Sequence, residues 1–305
     1  MRTMLEIKNL YKGYNNKPFI HDINLTLERG QIHGLIGSNG SGKTTLLRCA
    51  AGIFKPQQGT VQYDGKAVYD TPEVKKKIAF MTEELDFNQI YSVGGIGRYY
   101  QKFYENFSME KYLDLIDRFH VKKRKAIGTL SKGQRTKMVL SLAIASQPEY
   151  LLMDEPESGM DVESRKLVHD LLIEAAENNS VGILLTTHDI DEVERLCDVV
   201  TMIEHGEIFA QGSVVELMEK VQKWKGVWPE KITDQQLYDM VVQEGTKLGK
   251  ISEFYTIGER EENERLLEKL GVNDLCYEQI SLEEMYIAMK NRFLKSGSIA
   301  GHSVN

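Results

Sequence analysis

Short apolar runs alternate with helical periodicities through most of the chain. Residues 4–10 and 23–27 alternate apolar and polar positions as half-buried strands do. Residues 31–36 form a short apolar run closed by a glycine, and 44–51 follow with a helical pattern. Residues 61–63 and 77–81 predict further strands. From 91 to 119 the period becomes helical, with Tyr99, Phe103, Tyr112, Leu115 and Ile116 supplying an apolar face. Strand and helix then alternate again: strand 150–153, helix 162–176, strand 182–186, helix 189–196, and strands 199–203 and 207–210. This order predicts an α/β domain carrying a helical insertion.

Beyond about residue 222 the composition shifts. The segment from Lys223 to Pro229 holds both tryptophans, Trp224 and Trp228, and reads as a domain boundary or packed linker. A strand at 251–257 and helices at 261–270 and 282–292 predict a small αβ module, while 217–243 has no clear period. The small, polar residues 296–305 predict a frayed tail.

The 305 residues suit about two domains. With 38 basic and 45 acidic side chains the net charge is −7, which disfavours nucleic acid as the main partner. Cys49, Cys197 and Cys276 lie too far apart in sequence for a zinc or redox pair and predict free thiols in a reducing compartment. The chain opens without the apolar run of a signal peptide, and no stretch approaches the about 18 apolar residues of a membrane span. A cytoplasmic protein is expected, with any membrane link made through a partner. The basic runs 75–77 and 122–125 read as solvated faces.

Gly37-Ser38-Asn39-Gly40-Ser41-Gly42-Lys43-Thr44 fits G-x-x-x-x-G-K-[ST] in full, between a strand and a helix. The glycines let consecutive N–H groups turn toward phosphate oxygens, and the helix adds the positive end of its dipole. Lys43 can reach β- and γ-phosphates, and the Thr44 hydroxyl can ligate Mg²⁺. Downstream, the apolar run 150–153 ends in Asp154 and Glu155. At the carboxyl end of a strand, Asp154 can join the Mg²⁺ shell and Glu155 can act as general base on the attacking water.

Leu130-Ser131-Lys132-Gly133-Gln134, placed before a helix and upstream of Asp154, resembles the L-S-G-G-Q signature of ATP-binding-cassette (ABC) proteins, with Lys132 at the third position. The resemblance covers residues 1–222. It implies an α/β fold of the P-loop NTPase type: an ABC nucleotide-binding domain with a mixed sheet, a helical insertion at about 84–130, and a small C-terminal αβ appendage at 223–295. It further implies that Ser131 and the Gly133 N–H grip the γ-phosphate of ATP held by a second, head-to-tail copy. Ser158 and Asp161 resemble the D-loop, His188 the switch histidine that holds the attacking water with Glu155, and Tyr14 the aromatic stacked on adenine. Thr45 completes the phosphate loop. Glu83 stands by register where the family usually has a glutamine touching Mg²⁺, and Gln89 is the alternative.

The implied function is an ATPase subunit, using ATP and Mg²⁺, that drives a separate transmembrane permease from the cytoplasmic face of the membrane. It would pair with itself or a sister ATPase, without nucleic acid. Ser281-Leu282-Glu283-Glu284-Met285-Tyr286 resembles an ending of exporter-type subunits of drug and antimicrobial-peptide transport. Two other readings stand beside it. A soluble ABC ATPase of repair or translation would carry tandem cassettes, a coiled coil or zinc modules. A catalytically weak regulatory subunit has Glu83 as its one hint. A signalling GTPase lacks its N-K-x-D motif here.

Overall fold

In the computed structural model, which describes residues 4–14, 17–82, 91–227, 241–248 and 251–299, the chain divides into two units, Met1–Glu207 and Ile208–Asn305. The first unit opens with β1 (Met4–Tyr14), β2 (Lys17–Glu28) and β3 (Ile32–Ile36), followed by α1 (Lys43–Ala50), β4 (Gln58–Tyr63), β5 (Lys66–Ala67), α2 (Pro72–Lys75) and β6 (Ile78–Met81). α3 (Val93–Phe103), α4 (Met109–Arg118) and α5 (Lys132–Ala145) form the helical insertion and its exit. β7 (Tyr150–Asp154), α6 (Val162–Asn179), β8 (Gly182–Thr187), α7 (Ile190–Leu196) and β9 (Val199–Glu204) restore the alternation.

Two sheets result. β2, β1, β4 and β5 are antiparallel neighbours, and the alternation of β1 and β2 turns Leu5, Ile7, Ile23, Leu25 and Leu27 into the core. β6, β7, β8, β3 and β9 pair in parallel in that order. Their near-continuous apolar runs suit strands covered on both faces: β3 and β8 are buried along their whole length. Because these strands are parallel, the segment after β3, Asp154, Thr187 and Glu204 all fall at one edge of the sheet, where open α/β sheets bind ligands.

The helical stretch expected at 91–119 is two helices, and its aromatic face is split. Tyr112, Leu115 and Ile116 are buried, but Tyr99 and Phe103 are 43% and 63% exposed. α3 buries Val93 and Ile96 instead. It approaches α4 so closely that a Cβ at Gly97 would lie 2.5 Å from the Tyr112 ring, and its last turn carries Phe103 outward.

The second unit holds β10 (Glu207–Ser213, whose first residue ends the first unit), α8 (Val214–Glu219), β11 (Val221–Val227), β12 (Val241–Leu248), β13 (Ile251–Ile257), α9 (Arg260–Lys269), β14 (Asn273–Glu278) and α10 (Leu282–Ile299). β12, β13, β11 and β14 form an antiparallel sheet in that order. The boundary expected at 222 therefore falls inside β11. The tryptophan segment is no linker at Trp224, which is fully buried with Phe254, Leu267 and Val272. Its indole N–H donates to Thr256 Oγ1 at 2.7 Å. Asn263 Nδ2 donates to Gln222 Oε1 at 2.7 Å and to Thr256 Oγ1 at 3.2 Å, closing a buried polar network. Trp228 lies outside the described residues. α10 also continues through Ile299, into the segment expected to fray.

Trp224→Ala removes a large core side chain and leaves Thr256 without its indole donor. It is expected to cost about 3–5 kcal/mol, read as a lower midpoint in chemical denaturation followed by circular dichroism.

Cys49 and Cys197 are buried and Cys276 is exposed, all as free thiols. Burial pushes the Cys49 thiol up to about 11 and Cys197 higher still.

Candidate functional site

The loop after β3 turns tightly into α1. Gly42, the N-cap of α1, sits at φ +113°, a conformation that L side chains rarely adopt. That turn starts α1 at Lys43, so the N-terminus of the helix adjoins the loop. Lys43 is 7% exposed and donates to the loop's own carbonyls, Gly37 O at 2.8 Å and Ser38 O at 3.1 Å. Burial holds its ammonium below the ordinary lysine range, against the pull of Glu155, Asp154 and Glu204. Ser38 Oγ donates to Glu204 Oε1 at 2.6 Å, fixing the loop to the end of β9. Ser41 Oγ is buried without a hydrogen-bond partner, Thr45 is buried, and Thr44 is half-buried.

Tyr14 stands at one side of this loop. Its hydroxyl lies 3.3 Å from Thr45 Oγ1 and its ring meets Phe19 and Phe54 edge-on at 5.8 and 6.3 Å. The residue stays 45% exposed, as a stacking platform requires.

The two carboxylates are set by β8. Thr186 Oγ1 donates to Asp154 Oδ1 at 2.7 Å and accepts from the Glu155 N–H at 3.1 Å. Glu155 itself has φ +49°, a left-handed conformation held by these bonds and by its N–H to Thr186 O at 3.2 Å. The turn carries the Glu155 carboxylate to within 3.4 Å of His188 Nδ1, and His188 is exposed. Glu155, Ser158, Thr187, His188 and Asp189 line an open pocket at this edge. A hydroxyl and a carboxylate, Thr44 and Asp154, form a hard-oxygen donor set that fits Mg²⁺.

The remaining motif residues form a second cluster. Ser131 caps α5: its Oγ accepts from Gln134 N at 3.3 Å while Gln134 Oε1 accepts from Ser131 N at 3.4 Å and from Lys125 Nζ at 2.8 Å. Ser131 and Lys132 are exposed, whereas Leu130 is half-buried. A Cβ at Gly133 would lie 2.3 Å from Gly159 O, so the start of α5 rests directly on the turn that bears Ser158. Thr136 Oγ1 donates to Ser158 O at 3.3 Å. Asp161 is the N-cap of α6, accepting from Ser164 N at 2.8 Å, and pairs with Lys137 at 2.9 Å. Lys137 and the Ser164 hydrogen bonds hold its carboxyl well below the usual carboxylate range. Glu83 and its alternative Gln89 lie outside the described residues.

The sequence reading missed Thr186 and Glu204. Thr186 is the penultimate residue of β8 and Glu204 the last of β9, and each acts on a neighbouring segment. The Thr186-Thr187-His188 run was the available signal for the first, and nothing local marks the second.

A family model for ABC transporters matches residues 20–158. The chain is similar to the ABC transporter ATP-binding protein YtrB of Bacillus subtilis (strain 168), 28% identical over 93% of this chain and 97% of that protein, so the likeness runs through both units. It is similar to the ABC transporter ATP-binding protein NatA of the same organism, 31% identical over 66% of this chain and 84% of that protein. A solved structure of the ATP binding subunit of an ABC transporter superposes with a TM-score of 0.66 and 26% identity, covering 70% of this chain and 92% of that one.

Proposed function

Because the chain belongs to the ABC transporter ATP-binding family, and so is an ATP-binding subunit with ATPase activity, we propose that it drives a separate membrane-spanning permease as one half of a head-to-tail, ATP-bound pair. The observation that carries the reading is the division of the site into two clusters. Lys43, Asp154, Glu155 and His188 gather around one phosphate-binding loop, while the capped start of α5 stands exposed at Ser131. An exposed helix N-terminus of this length suits a phosphate brought by another molecule.

Tyr14 stacks on adenine, and the loop N–H groups and Lys43 hold the β- and γ-phosphates. Glu155 takes the proton from the water that attacks the γ-phosphorus, and His188 keeps that water in line. Thr44 and Asp154 would hold Mg²⁺, which when bound neutralises phosphate charge. ADP and inorganic phosphate leave, and the pair reopens. The presence of Lys43, Asp154, Glu155 and His188 together argues against a catalytically weak regulatory subunit.

Gly133→Ala is expected to abolish hydrolysis while leaving ATP binding by the isolated chain unchanged. Its Cβ collides with backbone, Gly159 O, rather than with a side chain that can yield. Turnover beside equilibrium nucleotide binding checks it.

The exposed rings of α3 support docking of the permease on the helical insertion. Tyr99 and Phe103 of α3 and the flanking Tyr91 and Tyr104 are 38–63% exposed, and the Tyr99 ring lies tilted 5.7 Å from Tyr91 and 4.7 Å from Phe103. Among the described residues no helix is long and apolar enough to cross a membrane, so a place on the cytoplasmic face of the membrane would depend on that partner. Export is supported by the likeness of the 281–286 segment to exporter-type subunits. Within this fold the same segment starts α10: Ser281 Oγ accepts from Glu284 N at 3.2 Å and Glu284 Oε2 from Ser281 N at 3.1 Å.

Affinity purification of the tagged chain from its native membrane tests the proposal. Recovery of a multi-span membrane protein is the expected result. Recovery of ribosomes or repair proteins without one would overturn it in favour of the soluble ATPase.

A further inference from the structure

Beside the hydrolytic pocket lies a group that the reaction does not use. Glu157 sits in the turn between β7 and α6, His169 in the middle of α6, and Glu192 in the first turn of α7. One ligand atom from each lies within 4.8 Å of the others. Glu157 and Glu192 are 8% and 5% exposed. Two carboxylates held this close in a low dielectric repel, and burial, with the charge of Glu157 adding, pushes Glu192 up to about 7.

The orientation of the groups narrows what they hold. His169 Nε2 and Glu157 Oε1 form an ion pair at 2.6 Å, and Glu157 raises the imidazole above its ordinary range. Glu192 Oε2 accepts from Thr187 Oγ1 at 2.6 Å, which leaves Glu192 Oε1 buried and unpartnered. An ion pair and a buried, unpartnered carboxylate oxygen, on three different elements, thus converge on one point.

We propose that Glu157, His169 and Glu192 bind one first-row transition-metal dication of the zinc class, at a site separate from the phosphate loop. An imidazole between two carboxylates favours zinc or cobalt over magnesium or calcium, which prefer oxygen alone. Three protein ligands leave a fourth position for water. Glu157 and Glu192 also line the pocket that contains Glu155 and His188, which supplies the entry path. Thr187 provides the outer support. Its hydroxyl binds Glu192 and accepts from the Asp189 N–H at 3.0 Å, next to His188. A metal held here would tie the turn of Glu155 to the loop of His188, and so regulate hydrolysis from beside it.

Titration of the nucleotide-free, chelator-stripped full chain with Co²⁺ tests this. One equivalent should bind, with visible d–d bands of four-coordinate intensity. His169→Gln and Glu192→Gln should each abolish the bands, and Asp154→Asn should keep them. Thr187→Val should weaken Co²⁺ binding about 10–100-fold. Absence of the bands in the wild-type chain, or bands that survive His169→Gln and vanish with Asp154→Asn, would overturn the site. Should the substituted chains fail to fold, zinc-edge X-ray absorption of the wild-type chain decides. One histidine nitrogen in the shell is expected, and a shell of oxygen alone overturns the proposal.

Discussion

Glu155→Gln is expected to lower ATP turnover by about 10²–10⁴-fold while ATP still binds. The amide keeps nearly the same shape and can still meet His188, which lies 3.4 Å from the carboxylate, but it cannot take the proton of the attacking water. The left-handed turn at residue 155 is held by backbone bonds to Thr186, so the substitution leaves the loop in place. The proposed pairing adds a second readout. With hydrolysis blocked, ATP–Mg²⁺ should shift the chain from monomer to dimer on a sizing column. A variant that stays monomeric with saturating nucleotide would count against the pair, and one that hydrolyses ATP normally would remove Glu155 from the base role.

Lys43→Ala is expected to raise the Kd for ATP by about 10–100-fold, the value of one or two charge-assisted hydrogen bonds. Isothermal titration with ATP checks it. The ammonium is bonded to the Gly37 and Ser38 carbonyls, and the proposed binding would exchange these for phosphate oxygens. The substitution therefore also loosens the loop, and a melting curve separates that loss from the loss of the charge. Unchanged affinity in a variant that melts normally would show that the loop N–H groups alone carry the phosphate.

What could be read from the sequence was what is local. The phosphate loop is revealed by its spacing, the pair Asp154–Glu155 by the apolar run before it together with that loop upstream, and Ser131 by the resemblance of its segment to a family signature. Thr186 and Glu204 could not be read that way. Their partners sit on strands that become neighbours only through the parallel crossovers, β7 beside β8 and β9 beside the loop after β3. Around Trp224 the pattern misled for a different reason. Lys223 and Lys225 look like a polar boundary, but they are the outward positions of a strand, paired with Glu284 at 2.8 Å and Glu278 at 2.6 Å. Similarly, Tyr99 and Phe103 have helical spacing with the buried residues of α4, but they belong to another helix, whose end turns away from it. Glu157 stayed hidden between two residues with assigned roles, since its partners are 12 and 35 positions downstream in the chain.

The unequal burial of the three thiols has a practical outcome. At neutral pH a maleimide reagent meets two thiols that are enclosed and resist ionisation, and one, Cys276, that lies open on β14. The natural chain thus offers one attachment point for a fluorophore or spin label, on the second unit. A label there reports on the second unit without first stripping cysteines from the protein.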